Sequence, residues 1–316
     1  MSNIRTLNDY RDNQNNQNSN YQQNPPRAQA YVVGGQQNRQ SQLQHQESKE
    51  TCKPLKLCFY LFFPNFKLKS VTFAYVVIFL LVYIIDEIVH AAKKAQGGKN
   101  IISWACILYE SGAKFTYAIS KQGHLHRLFM PMFLHSGFFH IFWNIFSFFM
   151  IGFSIENSMG KWYRYATLLL IGAIGGNIFS AVIDPYNFGV GASTSLFAVL
   201  ACLCTWFYLN YDRLGPMKFQ YMIFFALMVC FAFLNGFLFP GSGVDSWGHM
   251  GGFLYGLALS FILLKGQDMA QQKRLDRFRV PAYLFLIVIT AAFTVAMFAR
   301  NLPECDKIDC AHICDR

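Results

Sequence analysis

The stretch FGVGASTSLFAVLACL, Phe188–Leu203, begins as a glycine turn and ends as an apolar helix, with a cluster of small hydroxyl side chains at the join. The apolar part, from Ser193 to about Leu209, spans about 25 Å at 1.5 Å per residue, short of the roughly 30 Å hydrocarbon core of a bilayer. Its amino end is therefore expected below the membrane surface, approached by tight non-helical backbone at Gly189 and Gly191. Such backbone at membrane depth is tolerated only against protein or a wet cavity, so a water-filled cavity is expected to open on Ser193. Two uses of the hydroxyls remain at this point. Ser193, Thr194 and Ser195 cap the helix, since Ser and Thr are favoured N-caps, or one of them carries chemistry.

The surrounding composition is that of a membrane protein. Of 316 residues, 53% are hydrophobic and only 14% charged, too apolar for an ordinary soluble fold. Seven apolar runs approach bilayer length, at 71–89, 133–154, 161–182, 193–209, 217–239, 246–264 and 281–299. The fold class expected is an all-α polytopic membrane protein. Residues 1–50 are rich in Asn and Gln without apolar periodicity and read as a disordered tail. Residues 51–70 form a basic juxtamembrane segment, 71–265 a six-helix core, 266–300 a linker and seventh helix, and 301–316 a Cys-containing tail. No apolar signal-peptide region follows the amino terminus, so the first membrane helix is expected to direct insertion. With the tail in the cytoplasm, thirteen Lys and Arg near the helix ends fall inside and nine outside, which sets the carboxyl terminus in the lumen or outside the cell. The net charge of +10 then faces anionic lipid. No basic soluble module is present, so no nucleic-acid partner is expected.

Polar side chains inside such segments are costly and mark sites or buried packing contacts. The second run carries HSGFFHIFWN, with His140 and Asn144 one turn apart on one helical face and His135 five residues earlier. The sixth opens VDSWGHMGGFLYG, where Gly248, Gly252 and Gly256 form a small-residue face for close helix approach. The fourth run offers Ser195, Ala198 and Cys202 as a matching face. If the two faces meet, Ser193 comes within hydrogen-bond reach of His249, as nucleophilic catalysis requires of a hydroxyl and its base. His140 and Asn144, with the Ser193 backbone N–H, suit the stabilisation of an oxyanion. Asp245 is assigned to the N-cap of the sixth helix rather than to a triad. The expected machinery is a Ser–His dyad with no cofactor and no metal.

The pieces HRLFMPMFLHSGFFHIFWN, GFSIENSMG, GVGASTS and VDSWGHMGGFLYG together resemble the rhomboid intramembrane serine proteases, over about residues 70–300. The resemblance places the family's His-x4-His-x3-Asn pattern on His135, His140 and Asn144, its Gly-x-Ser nucleophile on Ser193 after Gly191, and its base on His249. It gives Glu156, followed by Gly160, a structural role, and leaves Arg127 as the anchor of the first outer loop where the family favours Trp-Arg. Thr194 stands where the family has glycine, and its extra bulk is expected to crowd the turn. Six core helices plus one at the carboxyl end resemble the secretory-pathway branch, which implies the Golgi, plasma membrane or endosome. The implied substrates are single-span membrane proteins cut near the outer end of their helix. The rival reading is a rhomboid-like protein that binds or escorts membrane clients without cutting them. A small transporter is the other rival, though the inverted repeat expected of one is not apparent in the order of motifs.

The same orientation leaves four cysteines outside, Cys106, Cys305, Cys310 and Cys314. Every complete pairing among them joins Cys106 to the terminal stretch, so a disulfide is expected there, with zinc held by those cysteines and His312 as the competing use.

Overall fold

The structure, a computed structural model, describes residues 63, 65–96, 103–220, 222, 223, 226, 230 and 244–302. The described residues fall in one compact unit, Leu57–Arg316. The expected disordered tail, most of the fifth apolar run and the terminal Cys305, Cys310 and Cys314 lie outside them.

Nine α-helices organise the described chain: α1 Val71–Gln96, α2 Trp104–Glu110, α3 Thr116–Gln122, α4 Phe138–Ser147, α5 Phe153–Met159, α6 Trp162–Ile183, α7 Ser193–Asn210, α8 Ser246–Leu263 and α9 Met269–Ala299. One π-turn, Phe148–Gly152, joins α4 and α5 into a continuous rod. No named strand occurs among the described residues. An isolated antiparallel bridge joins Lys114 to Gly189. Among the described residues, five segments are long and apolar enough to cross a membrane: Val71–Ala95, Phe138–Met159, Trp162–Ile183, Ser193–Arg213 and Met269–Ala299. This is a polytopic helical membrane protein.

Two helix starts depart from the apolar runs by more than one residue, and α1 and α5 run past the expected ends, to Gln96 rather than 89 and to Met159 rather than 154. The second rod starts at Phe138 rather than at 133, because Met130–Phe133 closes its own short 3-10 turn around Pro131 and the chain then extends through Leu134. The last helix starts at Met269, twelve residues before its apolar run. Asp268 caps it by accepting from the Gln271 N–H, and Pro281 is accommodated within it. Its first three turns are polar, so hydropathy alone does not register them.

The packed centre consists of α6, α7 and α8. Four glycines in the first eleven residues of α8 lower its hydropathy, and they let it approach its neighbours closely. A Cβ at Gly252 would lie 2.3 Å from the Thr194 carbonyl oxygen, and one at Gly256 2.3 Å from the Ala198 Cα. Van der Waals packing at backbone contact thus replaces the hydrophobic drive that lipid cannot supply. The expected match of faces is shifted. Gly252 and Gly256 meet Thr194 and Ala198, while Gly248 lies against its own cap residue Asp245 and near Gly176 of α6. Ser195 and Cys202 are turned away, with Ser195 hydrogen-bonded to Tyr75 of α1 and to the Leu169 carbonyl of α6. Helix α9 is attached by a Tyr255–Thr290 hydrogen bond of 2.9 Å and by stacking of Phe293 on Phe179. The outward faces of α1 and α9 expose Ile85, Ile88, Ile287 and Val288, as a lipid-facing surface would.

Candidate active site

The turn before α7 is held from two sides. Gly189 pairs with Lys114 through both backbone bonds, and the Gly191 N–H donates to the Pro131 carbonyl at 2.8 Å. Gly191 has φ +130°, a conformation that L side chains rarely adopt. A Cβ there would lie 2.8 Å from the His140 ring and 3.2 Å from the Ser193 hydroxyl, so glycine is required twice over. The turn delivers Ser193 as the first residue of α7.

Ser193 is not a cap. The N-cap position is Ala192, without a side-chain cap bond, and the Ser193 hydroxyl instead lies 2.8 Å from Nε2 of His249 on α8. His249 is nearly buried, and the ring of Phe197 stacks on it at 4.2 Å with 13° between the planes. Phe197 lies one helical turn after Ser193, so a single face of α7 carries the hydroxyl and the surface that orients its partner. Sequence reasoning passed over Phe197, although the i, i+4 spacing from Ser193 was the available signal.

His140 faces the same turn from α4. The Ser136 N–H donates to its Nδ1 at 3.4 Å and the Ser136 hydroxyl lies 2.8 Å from the same atom; with Nδ1 accepting, a neutral ring carries its proton on Nε2, the atom beside Gly191. An N–H donor thus points at the space next to the Ser193 hydroxyl. The first backbone N–H groups of α7 have no acceptor within their own helix and add positive potential there. Asn144 is buried, but its side-chain amide donates to the His140 carbonyl at 2.9 Å. That bond braces α4 in this conformation. His135 is fully buried beside Phe79 and His140 and forms part of the packing behind the site.

The remaining expected residues fall as supports. The Glu156 carboxylate accepts from Val71 N–H at 2.7 Å, Thr72 N–H at 2.9 Å and the Thr72 hydroxyl at 2.7 Å, closing the amino end of α1. Gly160 ends α5 in the left-handed conformation. Arg127 is 4% exposed, donates to the Tyr109 and Ala113 carbonyls, and lies over the Tyr109 ring. It fastens the connection between α1 and α4 onto itself.

Thr194 does not crowd the nucleophile turn as expected. Its methyl points into the space left by Gly176 of α6 and Gly252 of α8, where a Cβ on Gly176 would come within 2.2 Å of it. The extra bulk of threonine is absorbed by a glycine on the facing helix.

Asp245 caps α8 by accepting from the Gly248 N–H, and its carboxylate does not reach the His249 ring. Its other partners are Ser180 and Lys114, a buried ion pair that sequence reasoning missed. Burial raises the carboxyl's pKa and the Lys114 ammonium, with the Ser180 and Gly248 donors, lowers it by more, so it stays below the usual carboxylate range. The arrangement is a two-residue hydroxyl–imidazole pair, with an N–H donor beside it.

The family model for the rhomboid domain matches residues 122–266. Rhomboid-like protease 1 of Toxoplasma gondii is 32% identical over 212 residues, covering 65% of this chain and 67% of that protein. Inactive rhomboid protein 1 of Homo sapiens is 34% identical over 140 residues, 44% of this chain and 16% of that protein. RHOMBOID-like protein 1 of Arabidopsis thaliana is 29% identical over 157 residues, 50% of this chain and 39% of that protein.

Proposed function

The chain belongs to the rhomboid family, and on that footing we propose that it is an intramembrane serine endopeptidase using a Ser193–His249 dyad. The observation that carries the reading is the 2.8 Å approach of His249 Nε2 to the Ser193 hydroxyl, between two helices otherwise packed through small residues. His249 takes the hydroxyl proton as Oγ attacks the scissile carbonyl carbon. The carbonyl oxygen becomes an oxyanion beside the Ser193 N–H and His140 Nε2–H. The imidazolium then protonates the leaving amine and the C–N bond breaks, leaving an acyl ester on Ser193. Water, deprotonated by His249, attacks that ester, and collapse of the second tetrahedral intermediate frees the new carboxylate and returns the proton to Ser193.

The substrates in this reading are single-span membrane proteins, reached where a helix unwinds near the outer membrane face, in a membrane of the secretory pathway with the amino terminus cytoplasmic. A second reading is favoured by the match to inactive rhomboid protein 1: a chain that binds membrane clients without cutting them. The two are distinguished by fluorophosphonate labelling and by cleavage of a single-span substrate in detergent. Wild-type protein is expected to label and cleave, and Ser193→Ala and His249→Ala to cleave nothing while remaining folded. Wild-type turnover in Ser193→Ala, with Ser195→Ala inactive, would assign the nucleophile wrongly, and no labelling or cleavage in wild type would favour the binding reading.

A further inference from the structure

Lys114 is completely buried, and the dyad chemistry gives it no part. Its ammonium donates to Asp245 Oδ2 at 2.9 Å and to the Ser180 hydroxyl on α6. Ser180 in turn donates to Asp245 Oδ1 at 2.6 Å, and the Gly248 N–H reaches the same oxygen at 2.8 Å. The cluster is closed among its own members.

Burying an ammonium and a carboxylate carries a large desolvation cost, and such a pair is weak evidence for stability alone. What distinguishes this one is where its arms lead. The Lys114 backbone pairs with Gly189, donating at 2.9 Å and accepting at 3.2 Å, and Gly189 lies four residues before Ser193. Its side chain ends on Asp245, four residues before His249, on the cap whose carbonyl accepts the His249 N–H at 3.0 Å. A Cβ at Gly189 would lie 2.8 Å from Asp245 Oδ2 and 3.0 Å from Lys114 Cε, so the turn lies directly on the ion pair. One residue therefore spans the gap between the strand-like approach to the hydroxyl and the first turn of the helix that carries the imidazole.

We infer that Lys114 is a positioning residue for the dyad: with Asp245 and Ser180 it sets the turn bearing Ser193 against the amino end of α8 bearing His249. The inference rests on the protease reading and adds to it a residue outside the motifs of the site. Ser193 and His249 come from separate helices that meet through small residues, and sliding α8 along α7 would separate them. The ion pair fixes that register at the end where the chemistry lies, a use for which buried polar pairs are suited. Rate is sensitive to such alignment, since a displacement of about 1 Å can cost about 100-fold.

The test is the paired neutral variant Lys114→Met with Asp245→Asn, which strands no buried charge and keeps a good N-cap on α8. Purified in detergent, it is compared with wild type for melting temperature, kcat and KM on a single-span substrate, and rate of fluorophosphonate labelling. The expected result is a folded protein with kcat lower by about 10- to 100-fold, KM within about threefold, and labelling slowed in step with kcat. A purely structural pair would leave kcat and labelling within about twofold in protein that stays folded, and that result overturns the inference. Should the paired variant fail to fold, Ser180→Ala decides instead. It removes one hydroxyl from the cluster and is expected to lower kcat by about three- to tenfold at unchanged KM, against an unchanged kcat that overturns the inference. Wild-type protein that neither cleaves nor labels overturns the protease reading and this inference with it, whereas a fully active paired variant overturns the role of Lys114 alone.

Discussion

Gly191→Ala perturbs the site by one methyl group. The residue holds φ +130°, and the added Cβ would approach the His140 ring to 2.8 Å and the Ser193 hydroxyl to 3.2 Å. Backbone strain of this kind costs about 1–3 kcal/mol. If the turn relaxes to relieve it, the same energy appears as misalignment of Ser193, equivalent to about 5- to 150-fold in rate at about 1.4 kcal/mol per tenfold. Contact with His140 adds to this, since a displaced oxyanion donor typically costs about 10²–10³ in kcat. The expected outcome is kcat/KM lower by at least about 100-fold, mostly through kcat. The melting temperature should fall by only a few degrees, because the fault is confined to one turn. The assay is cleavage of a fluorogenic single-span peptide in detergent micelles, with thermal unfolding of the same preparation. Turnover within about twofold of wild type, in protein that melts normally, would refute both the requirement for glycine and the placing of His140 beside the nucleophile.

The supports of the site make separate predictions. Glu156→Ala leaves the Val71 and Thr72 N–H groups without their acceptor and is expected to lower stability by about 1–3 kcal/mol, read by chemical or thermal unfolding in mild detergent. An unchanged unfolding transition would show that solvent or lipid replaces that cap. Thr194→Gly removes a methyl packed against Gly176 and weakens the first turn of α7, for a loss of about 1–2 kcal/mol with the dyad chemistry retained. A gain in turnover without loss of stability would mean that the threonine does crowd the turn. For the cysteines, Cys106 is buried and is not among the free ones, so non-reducing peptide mapping is expected to join it to Cys305, Cys310 or Cys314. Free thiols at all four positions would remove the disulfide and the orientation that led to it.

The parts of the fold that were legible in the sequence are those where one residue type has a single physical use. Glycines at four-residue spacing in α8 announce close helix contact, and hydroxyl and imidazole side chains inside apolar runs announce a site, because lipid does not tolerate either without cause. What stayed hidden depended on the facing residue. Ser195 and Ser193 differ by two positions in one helix, yet one is fully buried against Tyr75 and the Leu169 carbonyl while the other meets His249. Local pattern alone does not say which helix each faces. Thr194 was misjudged for the same reason, since its room comes from Gly176, eighteen residues earlier on another helix.

Lys114 shows the limit most clearly. In sequence it is one more cation in the connection between α1 and α4, and a charge count treats it as a solvated residue helping to set orientation. Its burial follows from three separate placements: Asp245 at a helix cap, Ser180 on the inner face of α6, and Gly189 small enough to lie against the pair. Remove Asp245 and the buried ammonium loses its counter-charge, which is too costly to keep. The capping reading of Asp245 was correct as far as it went, because a carboxylate has several acceptor sites and the Gly248 N–H uses one of them. The remaining capacity is where the tertiary information lies, and it links the cap of α8 to the turn before α7. A capping pattern in a sequence thus identifies a helix start, while the acceptors it leaves open decide which part of the site that helix start is fastened to.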